Sequence, residues 1–351
     1  MTFSARKTRF CSLLTITLLL CAGCVSKSKT GACQIPPNGR YTNLSPYQKK
    51  GLWDVIKWRY NRHAPQWPEQ VTNKTSTQPA STHSTPGQVA VTFINHATVL
   101  IQVDGINILT DPIWSERASP VSWAGPKRVR KAGLSLKKLP QIDVVLISHD
   151  HYDHLDKNTL KALKKRFHPW FLVGCGNETL LNQLGIQRVK PLAWWQGVTY
   201  KKHKITFVPA QHFSGRGLFD HMTTLWGGFV IQTSAGPIYF AGDTAWGQHF
   251  KQIRQRFGPI FLSLLPIGTY LPRDFMHSTH INPTEAVKAF EQLNSTYAIG
   301  IHFDTFANLA DEGFGEAPKA LRAALRKAAI PPERFLALEF GEGHVFTNKK
   351  R

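Results

Sequence analysis

The segment "LISHDHYDHLD", residues 146–156, places three histidines and three aspartates directly after an apolar run. Alternate side chains of an extended backbone point to the same side, so His149 and His151 can reach one common point. Asp153 and His154 can turn towards a second point as the chain continues into a helix. Because burying so many polar groups without a partner is costly, this H-x-H-x-D-H spacing predicts metal ligands rather than a solvated loop.

Three other predicted strand ends carry residue types that bind metals. They are His212 in "FVPAQHF", Asp243 in "IYFAGDT" and His302 in "IGIHFDT". A sheet holds the ends of its strands rigidly, while the adjoining loops supply functional groups. A single histidine at such a position is more often a hydrogen-bonded core residue. Together with the H-x-H-x-D-H run, however, these three residues complete a set of seven candidate ligands.

Seven ligands exceed what one tetrahedral zinc ion binds, and they suit two ions. Imidazole nitrogens select zinc or a similar transition metal, and one carboxylate can bridge two ions because its oxygens diverge. Two such ions would lower the pKa of a water between them and so provide a nucleophile at neutral pH. We therefore predict two Zn²⁺ ions, for which other divalent transition metals such as iron or manganese could substitute.

The elements that position these residues follow from the apolar pattern. "IDVVLIS", residues 142–148, predicts a buried strand that leads to the first ligands, and Asp156 is the predicted N-cap of the next helix. Residues 89–112 predict three strands in a meander, and "NPTE" predicts a helix over 283–293 with Asn282 as its cap. Further strands are predicted over 204–209, 225–233, 237–241, 260–266, 297–301 and 335–340. Many strands with interspersed helices indicate a layered α/β domain.

The N-terminus has the pattern of an export signal. Three basic residues precede the apolar run "LLTITLLL", residues 13–20, and the small residues of "CAGC" follow it. "LLCAGC" resembles the cleavage site of bacterial lipoproteins, which predicts removal of residues 1–23 and acylation of Cys24. An ordinary secretory signal is the alternative.

Two regions are predicted after this signal. Residues 24–50 are polar and predict a tether, and residues 51–351 are the predicted globular domain. The tryptophan-containing stretch over 51–68 either packs on that domain or rests on lipid. With Cys24 acylated, Cys33 and Cys175 are the two free cysteines that remain, and one of them lies in the tether, so no disulfide framework is predicted.

Charge is lopsided, with 43 Lys and Arg residues against 22 Asp and Glu residues and a formal net charge of +21. Removal of residues 1–23 takes away three positive charges and leaves +18. This balance indicates anionic neighbours, and export argues against nucleic acid. We therefore predict an anionic membrane surface as the partner, with a basic surface lacking any specific partner as the alternative. Val25, after Cys24, indicates the periplasmic face of the outer membrane of a Gram-negative bacterium. No oligomeric state is predicted.

Several longer segments resemble one family of hydrolases. "FINHATVLIQ", "TDPIWSERASPVSWAGPKRVR", "PAQHFSGRGLFD", "FAGDTAWG" and "HINPTEA" are similar to the N-acyl-phosphatidylethanolamine-hydrolysing phospholipase D family of the metallo-β-lactamase superfamily. The resemblance runs from about Leu52 to Phe346. It implies the metallo-β-lactamase fold, which is a four-layer αββα sandwich in the α/β class.

The resemblance also implies roles for particular residues. It assigns three ligands to each zinc ion and one bridging ligand, namely His149, His151 and His212 on the first ion, Asp153, His154 and His302 on the second, and Asp243 between them. It places His280, in "HSTHINP", near the substrate, although this residue could equally be a histidine at the start of a helix. Asp153, Asp243 and His280 are the predicted catalytic residues.

Two further motifs have open interpretations. Asp111, in "LTDP", is either a carboxylate that orients a ligand histidine or a turn residue before Pro112. The basic run "GPKRVRKAGLSLKK" either brings Lys127, Arg128 and Arg130 towards a phosphate or forms a solvated face.

The function that the resemblance implies is phospholipase D-type cleavage of a phospholipid head group. N-acyl-phosphatidylethanolamine, or a related lipid, would give phosphatidic acid and an N-acylethanolamine. A lactonase or carboxylic-ester hydrolase with the same metal centre is one alternative. A non-catalytic envelope lipoprotein stabilised by zinc is another, against which stands the usual closed, four-ligand form of structural zinc sites.

Overall fold

The apolar run that begins at Val89 forms the predicted meander. Strands β1 (Gln88–Asn95), β2 (Thr98–Val103) and β3 (Ile106–Thr110) are antiparallel neighbours. Every residue of β2 and β3 is buried, so both faces of this ribbon are covered by other layers.

The computed structural model describes residues 33–62, 64–74 and 85–348. The predicted signal peptide over residues 1–23 and the predicted acylation site, Cys24, lie outside these ranges. Within them, no helix combines the length and the apolar character that crossing a membrane requires.

The first sheet extends the meander on both sides. Its strand order is β14-β1-β2-β3-β4-β5-β6, and β3 to β6 run parallel to one another. The added strands are β4 (Val144–Ile147), β5 (Trp170–Gly174), β6 (Val189–Leu192) and β14 (Gly343–Thr347).

The second sheet also has seven strands, in the order β13-β12-β11-β10-β9-β8-β7. Strands β7 to β10 are antiparallel, and β10 to β13 are parallel. The strands are β7 (Gly197–Tyr200), β8 (His203–Val208), β9 (Gly228–Thr233), β10 (Gly236–Phe240), β11 (Leu262–Pro266), β12 (Tyr297–Ile301) and β13 (Phe335–Leu336).

Seven α-helices are present among the described residues. They are α1 (Leu52–Tyr60), α2 (Lys157–Phe167), α3 (Asn177–Gln183), α4 (His249–Phe257), α5 (Arg273–Met276), α6 (Pro283–Gln292) and α7 (Glu316–Lys327). The predicted caps of α2 and α6 are confirmed. Asp156 accepts a hydrogen bond from Asn158 N, and Asn282 and Glu285 form a reciprocal capping box.

Alternation of side chains along the strands builds the layers. In β4, Val144 and Leu146 belong to the large core that includes both sheets, whereas Val145 and Ile147 pack with Leu160 and other residues under α2 and α3. Helices α4, α6 and α7 contribute apolar residues to the core at the second sheet. The predicted αββα sandwich is therefore confirmed, with helices outside and two sheets inside.

Some predicted strand limits are wrong for a local reason. The strand predicted over 225–233 begins at Gly228. The residues before it bond elsewhere, because Leu225 N donates to Cys175 O and Gly227 N donates to Ser148 O, in the loops after β5 and β4 of the first sheet. The strand predicted over 335–340 contains two residues.

The cysteine prediction is also wrong, because Cys33 and Cys175 form a disulfide, with their Cα atoms 5.5 Å apart. The polar stretch predicted as a tether accordingly lies on the domain from Cys33 to Lys50. Tyr41 in this stretch is buried and its N–H donates to Met222 O. Polar composition suggested a solvated chain, but here the polar groups bond to main-chain atoms of the domain.

The tryptophan-containing stretch after it packs on the domain. The ring of Trp58 in α1 stacks on Phe275 at 5.0 Å, and Trp67 packs edge-on against Phe314. Trp53 and Tyr60 on the other side of α1 remain exposed.

Candidate metal centre

Six strands end at one edge of the sandwich, and each delivers a polar residue to the same point. The residues that follow β1, β3, β4, β8, β10 and β12 are respectively His96, Asp111, His149, His212, Asp243 and His302. Convergence of strand ends brings together side chains that are up to 206 positions apart in the sequence. The seven predicted ligands all lie in this group, in which His151 and Asp153 are partly buried and the other five are buried.

The predicted ligands form two clusters. In the first cluster (His149, His151 and His212), His151 Nδ1 lies 2.8 Å from His149 Nε2 and 3.3 Å from His212 Nε2. In the second cluster (Asp153, His154 and His302), His154 Nε2 lies 3.1 Å from His302 Nε2, and Asp153 Oδ2 is 3.3–3.5 Å from both nitrogens.

Asp243 lies between the clusters. Its Oδ2 is 3.1 Å from His302 Nε2 and 3.2 Å from His154 Nε2, and 3.8–3.9 Å from the Nε2 atoms of His212 and His149. One carboxylate thus faces ligand atoms of both clusters. The preceding Gly242 has φ of +61°, and a Cβ there would lie 2.5 Å from Ser148 Cβ, so this close turn requires glycine.

The outer nitrogens of four imidazoles are held by neighbouring groups. Nδ1 of His149 contacts Ser148 Oγ (2.8 Å), and Nδ1 of His154 contacts Asp111 Oδ2 (2.6 Å). The Nδ1 atoms of His212 and His302 contact Thr279 O (2.8 Å) and Thr269 Oγ1 (3.0 Å). These contacts direct each Nε2 inward, as second-layer contacts of metal-binding histidines do.

The inward nitrogens and oxygens are arranged to bind a metal ion rather than to form hydrogen bonds with one another. Nitrogens 2.8–3.3 Å apart can share at most one proton per pair, and Asp243 Oδ1 is buried and has no hydrogen-bond partner among the described residues. Lone pairs that converge in this way are what a cation requires. The His and Asp clusters therefore fit a metal site.

Burial and mutual charge set the protonation of the centre. Burial lowers the pKa of His149 well below its ordinary value, with neighbouring histidines adding to the effect, and burial lowers the pKa of His212 to about 3. Burial alone would raise the pKa of Asp243, but His154 and His302 outweigh it and hold that pKa well below the usual range. The burial of His302 is likewise outweighed by Asp243 and Asp153, which raise its pKa to about 9. Ionised carboxylates here draw positive charge into the pocket.

His96 is a member of the centre that the sequence analysis did not single out. Its Nε2 lies 3.0 Å from Asp153 Oδ2, and its ring packs 3.9 Å from that of His302. With Asp153, His154 and His302 it forms a four-residue group whose possible ligand atoms all lie within 4.8 Å of one another. The signal in the sequence that could have identified it is its place at a strand end, in "INHAT".

Backbone conformation marks the same residues. The φ values of His96, Asp111 and His302 are +47°, +29° and +64°. Residues other than glycine rarely adopt such positive φ values. Such strain persists where surrounding contacts impose it, and it is common at functional sites. Here His302 N donates to His96 O at 2.8 Å, so two strained strand ends support each other.

Geometry decides between the two interpretations of Asp111 and places His280 beside Asp243. Asp111 accepts hydrogen bonds from Ser148 N (2.7 Å) and Ser148 Oγ (2.5 Å) as well as contacting His154, so it holds a histidine of the second cluster. His280 Nδ1 lies 3.9 Å from Asp243 Oδ2, and this buried nitrogen has no hydrogen-bond partner in the described part of the chain. Asp156 binds main-chain and hydroxyl groups, including Ser115 Oγ, and takes no part in the centre.

Neither interpretation of the basic run holds for Arg128 and Arg130, which are buried. Arg128 donates to the carbonyls of Ser115, Ile113 and Arg130, and its guanidinium lies over the Phe306 ring. Arg130 pairs with Glu339 at 2.8 Å. These arginines brace the loops around the centre, whereas Lys127 is exposed.

Comparison with known proteins agrees with this geometry. Residues 106–303 match the beta-lactamase superfamily domain. The chain is 37% identical over 274 residues to N-acyl-phosphatidylethanolamine-hydrolyzing phospholipase D 1 of Caenorhabditis elegans, covering 74% of this chain and 76% of that protein. It is 27% identical over 258 residues to a metal-dependent hydrolase of Methanopyrus kandleri, covering 72% and 98%.

A solved structure shows the same fold. Igni18, a metallo hydrolase from the archaeon Ignicoccus hospitalis, superimposes with a TM-score of 0.57 at 22% identity, covering 75% of this chain and 100% of that one. The chain therefore belongs to the metallo-β-lactamase superfamily, as a metal-dependent hydrolase of the family that includes the N-acyl-phosphatidylethanolamine-hydrolysing phospholipases D.

Proposed function

We propose that this hydrolase is a binuclear zinc phosphodiesterase that cleaves a phospholipid head group in phospholipase D fashion. The observation that carries the proposal is the position of Asp243 Oδ2, which faces histidines of both clusters within 3.1–3.9 Å. The relative from Caenorhabditis elegans, whose name specifies hydrolysis of N-acyl-phosphatidylethanolamine, supports a lipid of this class as the substrate. The products would be phosphatidic acid and an N-acylethanolamine.

In this proposal the first cluster would hold one ion and the second cluster the other, with the Asp243 carboxylate available to both. Bound zinc ions supply an ionised water as nucleophile near neutral pH and positive charge that stabilises phosphoryl oxygens. The chain's own contribution is to fix the ligand geometry. Ser148, Asp111, Thr269 and the Thr279 carbonyl hold the outer edges of the imidazoles, and burial excludes bulk water.

His280 is proposed to contact the substrate rather than the metal. Its ring lies 5.0 Å from that of His212 and 5.5 Å from that of His302, so it borders both clusters. Its backbone is fixed by Arg273, which donates from Nη1 to His280 O at 2.9 Å. A phosphoryl or leaving-group oxygen that enters the centre would give the unpaired Nδ1 a partner, and a hydrogen bond from this position would stabilise charge on the departing head-group oxygen.

The exposed segment beside the centre is suited to a lipid surface. Leu218 and Phe219 are 85% and 86% exposed. Their loop is braced on the ligand-bearing segment, since Gly215 N donates to Asp150 Oδ1 and Tyr152 OH donates to Arg216 O. Two exposed apolar side chains on a chain of charge +21 suit an anionic bilayer, in which they would enter the acyl region near the head group to be cleaved.

We further propose that the protein resides in the cell envelope, anchored through Cys24. Disulfides persist in oxidising compartments such as the bacterial periplasm, so the Cys33–Cys175 bond supports export.

Replacement of the carboxylate between the clusters tests the metal assignment. Asp243→Asn should lower bound zinc below two per chain and reduce hydrolysis of N-acyl-phosphatidylethanolamine by about 1000-fold or more, because an amide cannot bridge two cations. Zinc is counted by elemental analysis. Asp104→Asn is the matched control, since Asp104 bonds to Ser234 at a distant strand turn. Full zinc content and activity in Asp243→Asn would contradict the proposal.

His280 variants separate a substrate contact from a ligand. His280→Ala should lower kcat/KM by about 100-fold with zinc content unchanged, and His280→Asn, whose amide can occupy the Nδ1 position, should recover part of the loss. Loss of zinc from His280→Ala would instead assign this residue as a ligand. Unchanged kcat/KM would exclude a role in the reaction.

The lipid-surface proposal predicts a difference between substrates. Leu218→Ser/Phe219→Ser should bind phosphatidylglycerol vesicles at least tenfold more weakly and lose activity on N-acyl-phosphatidylethanolamine carried in those vesicles, while hydrolysis of a soluble phosphodiester is retained. Val345→Ser is the control, because Val345 is an exposed apolar residue on β14. Equal loss on both substrates, or undiminished vesicle binding, would count against the lipid surface.

Metabolic labelling tests the anchor. The full-length protein expressed in a Gram-negative host should incorporate labelled palmitate and fractionate with membranes. Cys24→Ala should do neither, because it lacks the thiol that is acylated. Label retained by Cys24→Ala would show that the anchor is at another residue, and lack of label in the unmodified protein would show that there is no acyl anchor.

A further inference from the structure

The stretch from Cys33 to Lys50, here called the N-terminal strap, is fastened at several points. The Cys33–Cys175 disulfide joins its start to the residue that follows β5. Farther along, Arg40 donates to the Phe219 carbonyl at 3.1 Å and also to the carbonyl of His221. Lys50 Nζ donates to Asp274 O at 3.1 Å, near the end of the strap.

Between these points the strap reaches the loop that carries His212. The Asn43 side chain pairs with both main-chain groups of this residue. Asn43 Nδ2 donates to His212 O at 2.7 Å, and His212 N donates to Asn43 Oδ1 at 3.1 Å. A two-point amide pairing fixes both the position and the orientation of the peptide, as a rung of a β-ladder does.

The residues on either side of His212 are held by the same strap. Gln211 Nε2 donates to Pro46 O at 3.1 Å and to Ser45 O at 3.3 Å. The Tyr47 ring lies 6.1 Å from the ring of Phe213. Three consecutive residues of the ligand loop therefore depend on a segment that lies about 165 positions earlier in the chain.

We propose that Asn43 is a positioning residue for His212, and that the Cys33–Cys175 disulfide fastens the strap so that the first cluster retains its metal ion. The inference rests on the proposed function in one respect, namely that His212 binds metal. Geometry of a ligand must be held within about 0.5 Å for tight binding, and His212 lies on a loop rather than on a strand. The strap supplies the rigidity that the strand does not.

The test compares the rate at which a chelator removes zinc from variants of the full chain. Asn43→Ala should release one zinc ion about tenfold faster than the unmodified protein, because loss of a supporting contact lowers metal affinity by about 10–100-fold. Asn43→Asp, which keeps the acceptor for His212 N, should release zinc at an intermediate rate. It also provides the comparison if Asn43→Ala does not fold. Cys33→Ser should shift the rate in the same direction as Asn43→Ala.

Asn73→Ala is the matched control, because Asn73 also joins two segments through its amide, bonding to Lys131 O and Arg130 Nε. It should release zinc at the unmodified rate. After loading with Co²⁺, the visible absorption of Asn43→Ala should differ from that of the unmodified protein, which a general loss of stability would not produce.

An Asn43→Ala variant that releases zinc no faster than Asn73→Ala, with an unchanged Co²⁺ spectrum, would overturn the positioning role. The proposed function would still stand in that case if the unmodified protein binds two zinc ions and Asp243→Asn binds fewer. A chain that binds no zinc at all would overturn both proposals.

Discussion

Burial of the Asp243 carboxylate, together with partial burial of Asp153, is the constraint on which the rest of the centre depends. Ionised carboxylates removed from water require compensating charge or hydrogen bonds, and here they receive them from surrounding imidazoles. Those imidazoles must in turn be oriented, which explains why hydroxyl, carbonyl and carboxylate groups hold their outer edges. The strained backbone at the strand ends is a further cost that these contacts offset.

Much of the centre was predictable because its signals are local. Dense H-x-H-x-D-H spacing after an apolar run, and ligand types at three more strand ends, identified seven of the residues that converge. His96 was missed because a single histidine in a tight turn carries no spacing signal. Its role depends on the distance to Asp153, 57 positions away, which no local pattern contains.

The elements of the fold that were predicted are likewise those with a local sequence pattern. Strands with continuous apolar runs and helices with clear caps were predicted within a few residues, whereas β5, β6, β7 and β14 were not. The basic run misled for a related reason, since Arg128 and Arg130 are buried by aromatic rings from distant segments, Phe306 and Phe340. Composition describes a charge but not the protein surface that covers it.

Besides fastening the N-terminal strap, the disulfide limits the distance between the domain and the proposed lipid anchor. On the proposal that Cys24 carries the acyl chains, eight residues, 25–32, separate the anchor from a fixed point on the domain. This segment can extend at most about 30 Å, which is close to the diameter of a small domain. Cys175 adjoins the segment that leads from the Leu218–Phe219 loop, since Leu225 N bonds to Cys175 O. A short membrane attachment on that side would limit rotation of the domain relative to the bilayer. It would keep the edge of the sandwich that carries the candidate metal centre facing the lipid.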